Sequence, residues 1–199
     1  IAVNVVCFVA EMLISGTGQD ISILTLVQMG AMYAPMVQGP ADLYRFVAPM
    51  FLHMDLMHLL FNMVALYSVG ELLERVLGRG NFLLLYFIAG ITGNVVSYAV
   101  DMAQGGGLSV SAGASTSVFG LFVAVALLCA LVRGNRAVFR DFSKSMLSII
   151  AVNVIYTLLV PNISISGHLG GAIGGAIAML LLPAASLRTP CPVRIVVAV

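Results

Sequence analysis

Four polar side chains stand inside otherwise apolar stretches of this chain: His58, Asn62, Ser115 and His168. A polar group within an apolar helix is costly, so each one asks for a reason. A serine hydroxyl becomes a useful nucleophile when a neighbouring base takes its proton. Histidine suits that task because its ordinary pKa lies near neutrality. Ser115 and His168 would form a hydrolytic pair if the fold brings them together. No Asp or Glu lies away from the ends of the last five apolar stretches, so a dyad is a more economical reading than a triad. His58 and Asn62 are four residues apart and share one helical face. Two donors on one face beside a nucleophile fit an oxyanion hole, which stabilises a carbonyl oxygen as it becomes negative. Each feature also has a plainer reading. A serine can cap a helix, a histidine can be a packed and hydrogen-bonded core residue, and a His–Asn pair can hold helices together without chemistry.

The medium that must position these residues follows from composition. Of 199 residues, 61% are hydrophobic and only 9% are charged, and the mean hydropathy is +1.10. Soluble domains carry roughly 25% charged residues, so a water-soluble fold could not hide this much apolar surface. The lipid bilayer is therefore the expected partner, and no basic block long enough to grip nucleic acid is present. Six apolar stretches can be read, at about 1–14, 56–73, 82–100, 115–132, 146–160 and 168–183. Backbone groups in lipid must pair within their own segment, which makes these stretches helices; they are too continuously apolar for barrel strands. The expected fold class is an all-α membrane protein, a bundle of six transmembrane helices. Residues 1–184 would form the core and 185–199 a cytoplasmic tail. The chain opens on Ile1 inside an apolar run, so the first span is expected to begin upstream.

Basic residues set the orientation. Arg75 and Arg79 follow span two, Arg133, Arg136, Arg140 and Lys144 follow span four, and Arg188 and Arg194 follow span six. Eight of the nine Lys and Arg thus lie on one side, with Arg45 alone on the other. The positive-inside rule makes the eight-charge side cytoplasmic, both termini included. The loops at 15–55, 101–114 and 161–167 then face outward, and His58, Asn62, Ser115 and His168, from spans two, four and six, gather near the outer face. Tryptophan is absent, so interfacial aromatics must be tyrosine. The 15–55 connection carries Tyr44, Phe46, Val47, Met50 and Phe51, and reads as a structured loop on the membrane face rather than a solvated linker.

Span four, counted from Ser117 to Val132, is about 24 Å of helix at 1.5 Å per residue, against a hydrocarbon core of about 30 Å. Ser115 is then expected a few Å below the outer surface, reached by the glycine-rich segment from Gln104. His168 opens span six, followed on its own face by Gly171 and Gly175. Small residues at this spacing admit a close helix neighbour, and span four in that place would bring Ser115 to His168. Asp55 is placed to cap span two, and Glu11 is expected at the outer interface of span one. No metal or cofactor is expected: His53-x4-His58 lacks the HExxH spacing and an acidic ligand, and Cys7, Cys129 and Cys191 form no CxxC pair.

The segments Gly113-Ala-Ser-Thr-Ser-Val-Phe-Gly120, His58-Leu-Leu-Phe-Asn62 and Gly167-His-Leu-Gly-Gly171 resemble, in order and on the expected spans, three motifs of the rhomboid family of intramembrane serine proteases, in its minimal six-span, bacterial-like form. The resemblance covers nearly the whole chain. It implies Ser115 as nucleophile, His168 as general base, and His58, Asn62 and the Ser115 backbone N–H as oxyanion stabilisers. It implies Phe119 as the aromatic packed against the catalytic histidine, Tyr44-Arg45 as the first-loop aromatic–Arg pair, and Glu74-Arg75 as the charged cluster after span two. The chain departs from the family's pattern at Thr116, where glycine is common, at Tyr44 in place of tryptophan, and at Phe119 in place of tyrosine. The implied substrates are transmembrane proteins, and the implied location is a bacterial inner membrane with the active site opening outward. The alternatives are a non-catalytic member of the same fold that binds membrane proteins, and a small transporter. The transporter reading would call for repeated halves with matching broken helices, and no such repeat is visible.

Overall fold

The computed structural model of the chain describes residues 1–107, 109–131, 148–149, 151–155 and 164–182. Its helices are α1 (Ala2–Ser15), α2 (Ile23–Gln28), α3 (Leu56–Leu77), α4 (Arg79–Ala103), α5 (Ser115–Leu131) and α6 (Ile165–Leu181). Among the described residues no β-strand forms, and the only extended pairings are two isolated bridges, Asp20 with Asp55 and Met32 with Ser111.

Helices occupy the first, second, third, fourth and sixth expected stretches. The fifth, 146–160, lies mostly outside the described residues, of which 148–149 and 151–155 are helical. The basic loop 133–144 and the tail 185–199 lie outside them as well.

The Asp55 side chain accepts the backbone N–H of His58 at 2.7 Å and starts α3 as its cap. The 22-residue α3 and 25-residue α4 are long and apolar enough to cross a membrane. Both outrun their expected bounds, and α3 continues past its apolar run through two exposed ion pairs, Glu71 with Arg75 and Glu74 with Arg79. Glu74 and Arg75, the charged cluster that the resemblance implies after span two, each take part in one of these pairs. Gly78, at φ +80, is the single residue between the two helices.

The exterior is apolar, unlike that of a water-soluble protein, and the mostly apolar interior holds a set of polar side chains. Leu169, Ile173, Ile177 and Leu181 form an exposed i, i+4 stripe on α6, and Leu60, Val64 and Tyr67 are exposed on α3. Asn4, Glu11, His58, Asn62, Asn94, Thr116, Ser117 and His168 are buried. Apolar stripes this extensive on the outside are stable where they meet lipid, and polar side chains buried among apolar ones need partners or a use. The helix α5 is packed round by its neighbours, with Val118, Leu121, Ala124 and Leu128 fully buried in a core shared with Val69 and Leu73 of α3, Leu85 of α4 and Met179 of α6.

The 15–55 connection is structured, as expected. It holds α2 and three 3-10 turns, Ala34–Met36, Pro40–Phe46 and Ala48–Phe51. A second apolar cluster lies beneath it, joining Phe8 of α1 to Ile21, Leu26, Leu52, Leu59 and Ala112. Arg45 is buried and donates from Nη1 to the carbonyls of Val27 at 2.9 Å and Ala31 at 3.0 Å. Its guanidinium also lies 5.3 Å from the Tyr44 ring centre, so the pair pins the loop to itself.

Candidate active site

Ser115 is the first residue of α5, at the position where the fourth apolar stretch begins. The chain reaches it through Gly113, whose φ of +135 suits glycine and whose N–H donates to the Pro49 carbonyl at 2.8 Å. Being first in the helix, Ser115 has a backbone N–H with no intrahelical acceptor, at the positive end of the helix dipole.

His168 comes from the first turn of α6. That helix starts at Ile165, three residues before the expected boundary, because the Ser164 hydroxyl accepts the Gly167 N–H at 3.0 Å and caps it. Ser164 is also within 2.8 Å of the Ser97 hydroxyl, tying the start of α6 to α4. The result is a separation of 2.7 Å between His168 Nε2 and Ser115 Oγ. One turn beyond Ser115, Phe119 stacks on the His168 imidazole, ring centres 4.1 Å apart and planes 10° from parallel. The stack fixes the ring plane, and the hydrogen bond fixes which ring edge meets the serine.

Close approach of α5 and α6 is made possible by glycine. A Cβ on Gly171 would overlap the Thr116 carbonyl oxygen, and one on Gly175 would overlap the Gly120 backbone. Both glycines face α5, as their spacing suggests. A second glycine face lies beside the first. Gly170 and Gly174 take α4, where added Cβ atoms would stand 2.6 Å from Val96 and 2.7 Å from Thr92. Gly93 answers from α4, 2.7 Å from the Gly167 carbonyl by the same construction. The doubled Gly-Gly pairs in the sequence carried that signal, since adjacent residues on a helix face different neighbours.

Gly171→Val should force α6 away from α5. Overpacking of this kind costs about 1–3 kcal/mol, and it should separate His168 from Ser115. Thermal melting in detergent and reaction of Ser115 with a serine-directed reagent should both fall, whereas Ile173→Val on the lipid face should leave both near wild type.

His58 is buried, and its ring abuts the turn before Ser115. A Cβ on Gly113 would lie 2.8 Å from His58 Nε2 and 3.3 Å from Ser115 Oγ. Asn62 lies one turn further along the same face and donates from Nδ2 to the His58 carbonyl at 2.9 Å. That bond uses one of its two amide hydrogens. The His53 ring packs edge-on against His58, ring centres 5.2 Å apart. Burial, helped by His58, pushes the His53 pKa down to about 3, so the ring is neutral at ordinary pH.

Glu11 corrects an expectation. It is fully buried rather than interfacial, and its carboxyl accepts the His53 backbone N–H at 3.0 Å. A lone acidic residue near a helix end resembles an interface residue by type, and only the packing of α1 on the first loop reveals the partner.

The family model for the rhomboid domain matches residues 40–185. Rhomboid protease GluP of Bacillus subtilis (strain 168) is 41% identical over 164 residues, covering 81% of this chain and 30% of that protein. Putative rhomboid protease YdcA of the same organism is 36% identical over 132 residues, covering 66% of this chain and 63% of its own length. Rhomboid-like protease 3 of Toxoplasma gondii is 34% identical over 153 residues, covering 76% of this chain and 56% of its own length. The chain therefore spans less than two thirds of each of these relatives. The matched domain covers most of the sequence, including His58, Asn62, Ser115 and His168, and on that ground the chain belongs to the rhomboid family of integral-membrane proteases.

Proposed function

We propose that this chain is an intramembrane serine endopeptidase that cleaves transmembrane proteins in or beside their membrane segments. The observation that carries the reading is the 2.7 Å approach of His168 Nε2 to Ser115 Oγ, beside buried donors in a protein whose outside is apolar. In this mechanism the Ser115 oxygen attacks the scissile carbonyl carbon while His168 Nε2 takes the hydroxyl proton. The carbonyl oxygen gains negative charge and is met by the Ser115 backbone N–H and by the side chains of His58 and Asn62. His168 then returns the proton to the leaving amine as the C–N bond breaks. Water attacks the acyl-enzyme by the same route, with His168 again taking the proton, and Ser115 is regenerated.

A helical substrate hides its scissile carbonyl in a hydrogen bond, so it must unwind locally before attack. Substrates with helix-destabilising residues near the bond should be favoured. The test is incubation of purified protein with a labelled transmembrane substrate, wild type beside Ser115→Ala. Cleavage by the wild type alone supports the peptidase. Binding without cleavage by either protein would instead favour a non-catalytic, membrane-protein-binding role.

The site is proposed to open on the outer side of the membrane, on the strength of the basic-residue asymmetry. In a background with Cys7, Cys129 and Cys191 replaced, a cysteine introduced at Gly106 should react with an impermeant thiol reagent added to intact cells. One introduced at Asn135 should react only after the membrane is opened. The reverse pattern would invert the topology.

A further inference from the structure

The peptidase mechanism makes no use of Glu11, the one fully buried carboxyl among the described residues. It sits on α1, a helix that contributes no group to the proposed reaction. Only Asn4, Phe8 and Glu11 of α1 are buried, at i, i+4 and i+7, so they form a single inward stripe. Both polar members of that stripe grip the same short piece of chain. Asn4 Nδ2 donates to the Met50 carbonyl at 3.1 Å. The two Glu11 oxygens lie 3.0 and 3.3 Å from the His53 backbone nitrogen.

The gripped piece, residues 49–54, touches both halves of the site. The Pro49 carbonyl accepts the Gly113 N–H at 2.8 Å and so holds the turn that presents Ser115. The Met50 carbonyl takes a second donor, the Tyr86 hydroxyl of α4, at 3.3 Å. The Met54 carbonyl accepts the Ile21 N–H at 2.8 Å. Between these ties His53 turns its fully buried ring onto His58, which in turn abuts Gly113. A carboxyl is an expensive side chain to bury for a tie that only holds loop to helix. Its position opposite the residue that backs His58 suggests a use in setting the site.

We propose that Glu11 is a positioning residue for the hydrolytic site. Its carboxyl fixes the His53 backbone, and His53 thereby braces His58 beside the turn that carries Ser115. The catalytic consequence rests on the peptidase reading above, but the bracing itself does not.

The requirement is for an acceptor at this position, which separates positioning from bulk packing. Glu11→Gln keeps an amide oxygen for the His53 N–H, whereas Glu11→Leu keeps the volume and removes the acceptor. Leucine is also the easier residue to bury in the protein interior, so Glu11→Leu should melt no lower than wild type. Two measurements on the full chain in detergent decide the matter. Amide hydrogen exchange over residues 49–58 should speed up about tenfold or more in Glu11→Leu and stay near wild type in Glu11→Gln, a factor matching loss of one hydrogen bond. Turnover of a transmembrane substrate should show kcat reduced about tenfold or more in Glu11→Leu with KM within about twofold, and rescue in Glu11→Gln, since small misplacements near a reacting centre are costly.

Unchanged exchange in Glu11→Leu would overturn the proposal whether or not the protein cleaves anything. Faster exchange with unchanged kcat would overturn its catalytic half. A wild type that exchanges as described but fails to cleave would count against the peptidase reading and leave the brace standing.

Discussion

His168→Ala should lower the turnover of a transmembrane substrate by about 10³-fold or more, with little change in melting temperature. In related hydroxyl-nucleophile systems, removing the base costs nearly as much as removing the nucleophile, because the two act as one unit. The geometry supports the same behaviour here. Nε2 is 2.7 Å from Ser115 Oγ, and the α6 glycines, rather than the imidazole, bring the two helices together. The double variant Ser115→Ala/His168→Ala should be no worse than Ser115→Ala. Additive losses would mean that the two residues act separately.

Asn62→Ala should lower kcat by roughly 10²-fold, the usual cost of losing one oxyanion donor. KM should change far less, because the interaction strengthens only as charge develops in the transition state. Asn62 spends one amide hydrogen on the His58 carbonyl, and its other hydrogen is the one the proposed oxyanion role would use. The backbone N–H of Ser115 and the His58 ring remain in the variant, so residual activity is expected. His58→Ala is a less clean test, because the His58 ring also packs against His53 and Gly113. Melting must be measured beside turnover. A wild-type rate in Asn62→Ala, or a loss traced wholly to unfolding, would leave the His–Asn pair as a structural tie.

Much of the candidate site is legible in the sequence because the solvent is lipid. In such a medium each buried polar residue needs a reason, which singles out Ser115, His168, His58 and Asn62 before any contact is known. Gly171 and Gly175 are legible for the opposite reason, since close helix packing needs the smallest residue at a fixed period. The start of α6 is less visible. Ser164 is one of several small polar residues before His168, and its capping bond is a local geometry that competes with equally plausible neighbours. The ends of α3 and α4 are also hidden, because charged residues end an apolar run without ending a helix. Glu11 is the clearest gap. Its partner is a backbone N–H 42 residues away, and no side-chain pattern announces a backbone partner.

The claim that His168 activates Ser115 is tested most directly by covalent labelling. Purified protein is treated with a serine-directed phosphonate, the adduct is mapped by peptide mass spectrometry, and the rate for the wild type is set beside that for His168→Ala. The account predicts a wild-type adduct on Ser115, and labelling slowed by about 10²-fold or more in the variant, the range for loss of a general base. Equal labelling of the two proteins, or a wild-type adduct on any other serine, would contradict it.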